Sequence, residues 1–440
     1  MGNELVKLSV SALSAALSSG EIAAEEAAKS YLDQISASDD AVGAYITVTA
    51  DEALRKAREV DQKRKAGGWL PPLAGVPFGV KDNICTKNVL TTCASKMLHN
   101  FVPPYDAFVM KRLAEQDAVM LGKLNMDEFA MGSTTENSYY KVTRNPRNLE
   151  RVPGGSSGGP AAAVAAFEAA YGLGSDTGGS IRQPAAFCGI VGVKPTYGTV
   201  SRNGLIAFAS SLDQIGPLTR SVEDAALVLE AIMGHDEKDS TSVDRTYDGF
   251  VGDLKKGVAG MKIALPKEYF AKGLAPEIKE AILAAAKTFE GLGAVISEVS
   301  LPSLAYALPA YYVISSAEAS SNLARFDGVK YGYRAENCAD IDDLYRTTRS
   351  QGFGPEVKRR ILLGTFALSS GYYDAYYKKA LQVRTLVMRD FQRIFEQNDA
   401  VLSPVAPTTA YKIGEKTHNP LEMYMGDVYT VPVNIAGLPS

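Results

Sequence analysis

Apolar and polar residues follow two different periods along this chain, and the period changes at short breaks rich in glycine, proline or charged residues. Apolar positions that recur every three or four residues predict helices, whereas short continuous apolar runs between turn residues predict buried strands. Helices are predicted over residues 9–36 with a break at Ser19–Gly20, and over 106–116, 160–170, 276–292, 306–324, 357–369 and 373–397. Strands are predicted over residues 73–81, 118–121, 171–175, 262–266, 294–299 and 399–403.

The predicted strands and helices alternate along the chain, which favours an α/β fold with a mixed or parallel sheet. No internal repeat or low-complexity linker divides the 440 residues. We therefore expect residues 1–440 to form a single domain, with a core at about 60–235 and a more helical insertion at about 240–400.

Composition limits the location and the partners of the protein. Hydrophobic residues make up 46% and charged residues 22% of the chain, and the net charge is −4, which is typical of a soluble globular protein with a large core. The absence of a long basic run argues against direct binding to nucleic acid. The first residues lack the apolar core of a signal peptide, and no apolar stretch is long enough to span a bilayer. We therefore expect a cytoplasmic protein that does not bind membranes.

Cysteine and histidine are too scarce and too scattered to predict a metal site. The chain has four cysteines and three histidines, and no two cysteines form a Cys-x-x-Cys pair. These residues are Cys85, Cys93, Cys188, Cys338, His99, His235 and His418. We expect no bound metal and no disulfide framework, and nothing in the sequence places a histidine beside a serine.

Two glycine-rich segments carry the candidate chemistry. One spans residues 154–159 around Ser156, the other spans residues 176–184 around Ser180, and an apolar run separates them. Glycine lets the backbone approach a substrate and turn its N–H groups toward a developing negative charge, as acyl transfer requires. Taken alone, the first segment also fits a helix N-cap, and the second fits a tight strand-to-helix turn. A phosphate loop is disfavoured because the Gly-Lys-Ser/Thr ending is missing.

A serine nucleophile needs a base, and Lys81 is the candidate because it ends an apolar strand. Burial disfavours the charged form of a lysine, and a neutral amine can accept a proton. The alternative for a single lysine at the end of a strand is an ordinary solvated charge.

The residues around these positions resemble the amidase signature family. The matching runs are residues 75–83, 154–159 and 174–184. The resemblance implies a central mixed sheet flanked by helices and a Ser-cisSer-Lys triad, in which Ser180 is the nucleophile and Ser156 relays its proton to a neutral Lys81. It also implies an oxyanion hole built from the backbone N–H groups of Thr177, Gly178, Gly179 and Ser180. We expect Asp176 and Arg182 to form an ion pair that holds this turn.

Residues 125–138, 194–198, 209–217 and 317–328 are similar to the glutaminase subunits of tRNA-dependent amidotransferases, a branch of that family. The resemblance implies release of ammonia from glutamine or asparagine within a heterotrimer. A partner B subunit, with ATP and Mg²⁺, would use the ammonia to amidate misacylated Glu-tRNA or Asp-tRNA, and a small C subunit would brace the pair. No cofactor is expected on this chain. Whether the product is Gln-tRNA, Asn-tRNA or both depends on the partners.

The same resemblance implies how glutamine is recognised. Arg360 would bind the α-carboxylate, Asp427 would bind the α-ammonium, and Tyr311 and Met131 would line the pocket. Without the resemblance, Arg360 is a solvated helix charge and Asp427 is a turn residue. The neighbouring residues Arg359 and Tyr312 are alternatives for these roles.

Three other functions stay open at this point. The chain resembles the family up to Ser440, where family members normally continue for some tens of residues, so we expect the C-terminal part of the usual domain to be missing. A truncated, inactive scaffold for the B and C subunits is therefore one alternative. A stand-alone hydrolase of small amides is another, and a Cys–His glutaminase that uses Cys85 or Cys188 is a third.

Overall fold

The computed structural model of the protein describes residues 4–245, 247, 249–271 and 273–440. Within these residues the strands are β1 Tyr45–Val48, β2 Pro77–Lys81, β3 Val119–Leu124, β4 Tyr171–Asp176, β5 Val191–Gly192, β6 Gln214–Thr219, β7 Lys262–Pro266, β8 Val295–Val299 and β9 Ala400–Val401. The first six form a mixed sheet in the order β1-β3-β2-β4-β6-β5, in which β2 runs parallel to β3 and β4, while β1 and β6 are antiparallel to their neighbours. The last three form a separate parallel sheet in the order β8-β7-β9.

Helices surround both sheets. They are α1 Val10–Ser19, α2 Ala24–Val42, α3 Ala50–Lys65, α4 Phe108–Glu115, α5 Gly158–Ala165, α6 Arg182–Cys188, α7 Val222–Ile232, α8 Phe250–Asp253, α9 Pro276–Gly291, α10 Ala307–Asn322, α11 Ile341–Gly352, α12 Pro355–Leu368, α13 Lys379–Phe395, α14 Pro420–Met425 and α15 Val431–Ala436. In the part of the chain that the structure describes, no helix combines the length and the apolar character needed to cross a membrane.

Two neighbouring strands position the site. Every residue of β2 and β4 is buried, which explains why both strands appear in the sequence as continuous apolar runs. Phe78 of β2 stacks on Tyr171 of β4 with the ring centroids 5.2 Å apart. Because the two strands are parallel and in register, their carboxyl ends lie at the same edge of the sheet. Lys81 ends β2 and Asp176 ends β4 at this edge.

The α/β fold with a mixed central sheet is confirmed, but three helix predictions were wrong in their bounds. The first predicted helical region ends at residue 36, whereas α2 continues to Val42. The helix predicted over 160–170 begins at Gly158 and ends at Ala165, because Phe167 adopts a left-handed φ of 62° that no helix accommodates. The helix predicted over 373–397 starts as one π-helical turn, Asp374–Lys378, before α13 begins.

The region predicted as a helical insertion also contains the complete second sheet. Hydrophobic periodicity identified its three strands but gave no indication that they pair with one another instead of extending the first sheet. The elements that the pattern missed are β1, β5, β6, α3, α6, α7, α8, α11, α14 and α15. Strand β6 contains Pro217 and Gly216, which weaken a strand signal in the sequence although the strand is wholly buried.

Close packing of α10 against α12 requires glycine at position 364. A Cβ atom added there would overlap the carbonyl oxygen of Ser316 on α10. This contact fixes α12, which carries Arg360, against the helix that carries Tyr311 and Tyr312.

Gly364→Ala is therefore expected to lower the free energy of unfolding by about 1–3 kcal/mol, because the two helix backbones must separate. Gly291→Ala is the matched control, since Gly291 ends α9 and a Cβ atom there meets nothing within 4 Å. Alanine favours a helix over glycine, so the control is expected to be as stable as the wild type or slightly more stable. Urea unfolding of both variants measures the difference, and equal midpoints would contradict the packing argument.

Candidate active site

Lys81 lies at the centre of the site and is fully buried. Its Nζ donates hydrogen bonds to Ser156 Oγ at 2.7 Å, to Ser157 Oγ at 2.8 Å and to Ser175 Oγ at 3.0 Å. The structure thus brings Lys81 and Ser156 together, as the resemblance implies. The alternative interpretation of Lys81 as a solvated charge is wrong.

Burial determines the protonation of this amine. Loss of water lowers the pKa of Lys81 to about 7, although the buried carboxylates of Asp127, Asp176 and Asp213 act to raise it. A substantial fraction of the amine is therefore neutral near neutral pH, and the neutral form has the lone pair that a general base requires.

The backbone around Ser156 is tightly packed. The peptide bond between Gly155 and Ser156 is cis, as the resemblance implies. The N–H of Gly155 donates to Gln183 Oε1 at 3.0 Å, and the carbonyl of Ser156 accepts from the N–H of Asp127 at 3.2 Å. A side chain on Gly155 would overlap the Asp127 carboxylate. These contacts explain the glycine requirement of the first segment.

The helix N-cap interpretation of this segment is confirmed for the position of Ser157 but not for the role of its side chain. Ser157 occupies the N-cap position of α5, but its side chain caps no helix N–H. Its Oγ donates instead to the carbonyl of Ser175 at 3.1 Å and accepts from Lys81. Ser157 thus helps to hold the amine of Lys81 in place by a hydrogen bond.

Ser180 lies in the turn between β4 and α6 and is 8% exposed, at the wall of a small cavity. Its carbonyl accepts from the N–H of Ser157 at 3.1 Å, which fastens the two glycine-rich segments to each other. Within the described residues, no hydrogen bond joins Ser156 Oγ to Ser180 Oγ. Ser180 Oγ is therefore available to a molecule in the cavity.

Asp176 holds this turn from the inside. Its carboxylate accepts from the N–H groups of Gly179 at 2.8 Å and Ile181 at 3.1 Å, and it forms a fully buried ion pair with Arg182, whose Nε and Nη2 each lie 3.1 Å from a carboxylate oxygen. Burial alone would raise the pKa of Asp176, but the Arg182 guanidinium and Asn434 hold it well below its usual range. The predicted ion pair is confirmed.

The same contact corrects the expected oxyanion hole. The N–H of Gly179 is occupied by Asp176 and does not point freely at the cavity. In the described chain the N–H groups of Thr177, Gly178 and Ser180 have no acceptor. These three are the donors that the turn offers to an oxyanion. Gly178 must be glycine because a side chain there would overlap the ring of Tyr311.

The cavity beside Ser180 brings most of the predicted binding residues together. Its walls are formed by Ala130, Gly132, Ser133, Gly178, Ser180, Phe208, Tyr311, Arg360 and Asp427. Met131 is not among them, which corrects the expectation for this residue. Its side chain is completely buried in the hydrophobic core, and the flanking residues Ala130 and Gly132 reach the cavity in its place.

Arg360 is buried and is not a solvated helix charge. Its Nε donates to Glu356 Oε1 at 2.7 Å, while its Nη1 is buried without a protein partner. The guanidinium lies 4.6 Å from the ring centroid of Tyr312 and 4.8 Å from that of Tyr424. A buried cation with an unpaired donor at the cavity wall is suited to bind an anionic group.

Asp427 faces the same cavity. Its carboxylate accepts hydrogen bonds from Ser133 Oγ at 3.1 Å and from the hydroxyl of Tyr312 at 2.6 Å. Burial raises the pKa of Asp427 to about 6, and both donors act to lower it. The backbone of Asp427 does make a turn, since its carbonyl accepts from Thr430 and Val431. Its side chain nevertheless belongs to the site.

Sequence reasoning missed three carboxylates that hold the site. Asp213 accepts from Thr177 Oγ1 at 2.6 Å and from the N–H of Phe208 at 3.0 Å. Asp127 packs against the backbone of the first glycine-rich segment, and Glu356 pairs with the cation of the cavity. The available signal was weak, because acidic residues in loops or in the first turn of a helix are usually exposed to solvent.

Two expectations about other chemistries also bear on the site. Among the described residues no group of three or more histidine, cysteine or acidic side chains could hold a metal ion. Cys85 and Cys188 are buried, and burial raises the pKa of both thiols, which disfavours the thiolate that a cysteine nucleophile needs.

Asp176→Asn is expected to lower the free energy of unfolding by about 3–5 kcal/mol, because Arg182 is left as a buried charge without its counter-ion. Asp253→Asn is the control, since Asp253 pairs with Lys256 on the surface with both side chains largely exposed and should be close to wild type. Thermal unfolding of the two variants measures the contrast. A similar small change in both would mean that the buried pair does not hold the turn.

Comparison with known proteins places this geometry in a family. Residues 26–440 match the amidase family profile. The A subunit of the glutamyl-tRNA(Gln) amidotransferase of Moorella thermoacetica is 61% identical over 437 residues, which is 99% of this chain and 90% of that protein. The crystal structure of the A subunit from Thermotoga maritima is 43% identical with a TM-score of 0.78, over 99% of this chain and 85% of that one. A bacterial aryl acylamidase of the amidase signature family is 25% identical with a TM-score of 0.85, over 98% and 88% of the two chains. The chain therefore belongs to the amidase family and, within it, to the glutamyl-tRNA(Gln) amidotransferase A subunits.

Proposed function

We propose that this chain hydrolyses the side-chain amide of glutamine and releases ammonia for a tRNA-dependent amidotransferase. The observation that carries the proposal is the pair of opposite charges, Arg360 and Asp427, in the cavity that holds Ser180. A free amino acid presents one carboxylate and one ammonium, and its recognition needs one cation and one anion. The α-carboxylate would bind the unpaired Nη1 of Arg360, and the α-ammonium would bind Asp427. Tyr311 would line the pocket beside the methylene groups of the substrate.

The triad provides a route for the proton in each step. Ser180 Oγ attacks the amide carbon while its proton passes to Ser156 Oγ, and Ser156 passes its own proton to the neutral amine of Lys81. The oxyanion that forms is stabilised by the free N–H groups of Thr177, Gly178 and Ser180. The carbon–nitrogen bond then breaks, and the relay returns a proton to the leaving nitrogen, which departs as ammonia. Substrate binding would complete the link between Ser156 and Ser180.

Water completes the cycle. It attacks the ester between Ser180 and the γ-carboxyl of the former glutamine, and its proton follows the same relay to Lys81. The ester carbon–oxygen bond breaks, Ser180 Oγ recovers its proton, and glutamate leaves. Apart from the substrate and water, each chemical group that acts in these steps belongs to this chain, so the mechanism uses no cofactor.

The fate of the ammonia depends on other chains. The names of the relatives describe one subunit of an amidotransferase, and we infer a cytoplasmic heterotrimer with B and C subunits. The B subunit would bind ATP, Mg²⁺ and the misacylated tRNA, and would convert Glu-tRNA(Gln) or Asp-tRNA(Asn) to the amide. The product specificity would depend on that partner.

A stand-alone hydrolase of neutral amides is the second candidate, supported by the similarity to an aryl acylamidase. Such an enzyme has no use for a buried cation and a carboxylate in the same pocket. An inactive scaffold is disfavoured because the hydrogen bonds of Lys81 to the serines are intact.

Lys81→Arg is expected to lower kcat/KM for ammonia release by about 100-fold or more, because arginine keeps its charge and cannot act as a base. In the wild type, kcat/KM should rise as pH rises through about 7, since the amine works only after it has lost its proton. Lys111→Arg on the exposed face of α4 is the control and should behave as wild type, while Ser180→Ala supplies the inactive reference. An active Lys81→Arg enzyme would show that Lys81 is only a structural cation.

Arg360→Gln and Asp427→Asn are each expected to lower kcat/KM for glutamine by about 10- to 100-fold, because each removes one charge-assisted contact. Butanamide carries neither charge and should be hydrolysed by the variants as well as by the wild type. Ammonia release from both substrates is measured with the full chain and its partner subunits. Parallel losses on glutamine and butanamide would favour a structural role for the two residues, and a wild type that prefers butanamide would favour the stand-alone amidase.

A further inference from the structure

The two opposite charges of the cavity do not pair with each other. Within the residues that the structure describes, Arg360 forms its ion pair with Glu356, and none joins it to Asp427. A cation and an anion that share a small buried space attract each other strongly. If they collapsed into a direct ion pair, neither would be available to a substrate. Some feature of the structure must keep them apart.

Tyr312 on α10 contacts both charges. Its ring lies 4.6 Å from the Arg360 guanidinium, and its hydroxyl donates to Asp427 Oδ2 at 2.6 Å. The ring supplies the cation with an aromatic face, and the hydroxyl supplies the anion with a hydrogen bond. Each charge is thus stabilised by a different part of one rigid side chain.

A second tyrosine fixes the Arg360 side of the arrangement. The ring of Tyr424 stacks on that of Tyr312 with the centroids 4.2 Å apart. Its hydroxyl donates at 2.8 Å to Glu356 Oε1, the same oxygen that accepts from Arg360 Nε. The hydroxyl groups of the two stacked rings thus bind different carboxylates: that of Tyr312 binds Asp427, and that of Tyr424 binds Glu356, the ion-pair partner of Arg360.

We propose that Tyr312 is a positioning residue that determines specificity for the α-ammonium group of the substrate, by holding Asp427 toward the cavity and away from Arg360. The proposal rests on the proposed function, in which Asp427 binds that group. Tyr312 does not line the cavity and acts through Asp427. Its loss should therefore affect substrates that carry an ammonium and spare those that lack one.

The protonation of Asp427 offers a second readout. Burial raises its pKa to about 6, while the Tyr312 hydroxyl, Arg360 and Ser133 act to lower it. The titratable and charged groups that face it are Tyr311 and Tyr312 from α10, Arg360 from α12, Asp176 from the end of β4, and Tyr411 from the segment before α14. Only the ionised carboxylate binds an ammonium, so discrimination in favour of the ammonium is lost as pH falls through this pKa. Without the tyrosine hydroxyl the pKa rises, and the loss should begin at a higher pH.

The test compares glutamine with two analogues, 4-aminobutanamide, which lacks the α-carboxylate, and glutaramate, which lacks the α-ammonium. Ammonia release is measured for the wild type and for Tyr312→Phe, which keeps the ring, using the full chain with its partner subunits. Tyr312→Phe is expected to lower kcat/KM about tenfold for glutamine and 4-aminobutanamide and to leave glutaramate within about twofold of the wild type. Tyr372→Phe is the control, because Tyr372 is exposed and packs on the exposed ring of Phe366, and it should match the wild type on all three substrates.

The ratio of kcat/KM for glutamine to that for glutaramate is then followed from pH 5 to pH 8. Protonation of Lys81 affects both substrates and cancels in the ratio, so the ratio reports Asp427. The midpoint of its fall should lie at higher pH in Tyr312→Phe than in the wild type. Equal losses on the three substrates, or an unchanged midpoint, would overturn the proposal even if the wild type prefers glutamine. A wild type that treats the three substrates alike would instead refute the proposed function, and this inference with it.

Discussion

The site depends on keeping water away from one lysine amine. Lys81 ends a strand that is buried on both faces, and three serines supply the hydrogen bonds that water would otherwise make. An isolated ammonium in such a place would be very unfavourable. Loss of the proton avoids part of this cost, because the neutral amine is easier to bury. The hydroxyl groups are good partners for both forms of the amine, because each can donate or accept. Without these serines the amine would have no such partners, and burial would favour its neutral form still more strongly.

Buried carboxylates limit how far burial lowers the pKa of that amine. Asp127, Asp176 and Asp213 all act to raise the pKa of Lys81 against the effect of burial. Each of these carboxylates also has a structural task, since each accepts backbone N–H groups from a loop of the site. The same charges thus shape the loops and moderate the base. Their positions inside the protein explain how these loops are held without regular secondary structure.

The sequence identified the parts of the site that lie on local motifs as candidates, and the resemblance to the amidase signature family assigned their roles. Lys81, Ser156 and Ser180 stand in glycine-rich or strand-end contexts that constrain the backbone within a few residues. The roles of Tyr312 and Glu356 could not be predicted from the sequence, because they arise where α10, α12 and the segment before α15 meet. The occupied N–H of Gly179 was missed for a related reason, since the direction of the Asp176 carboxylate depends on Arg182 and Asn434 together. Hydrophobic periodicity likewise located the strands of the second sheet without showing which strands pair.

The hydrogen bond between Asn434 and Asp176 joins residues that are 258 positions apart, and Thr430 contacts the carbonyl of Gly178 across a similar separation. During synthesis, the turn that carries Ser180 leaves the ribosome long before the segment that completes its support. The residues of the first sheet and of α5 are all made before Thr430 and Asn434, the partners that Arg182 contacts. Contacts of such long range form late in folding. The order of synthesis therefore delays the completion of the turn that carries Ser180 until residues 430–434 have been made.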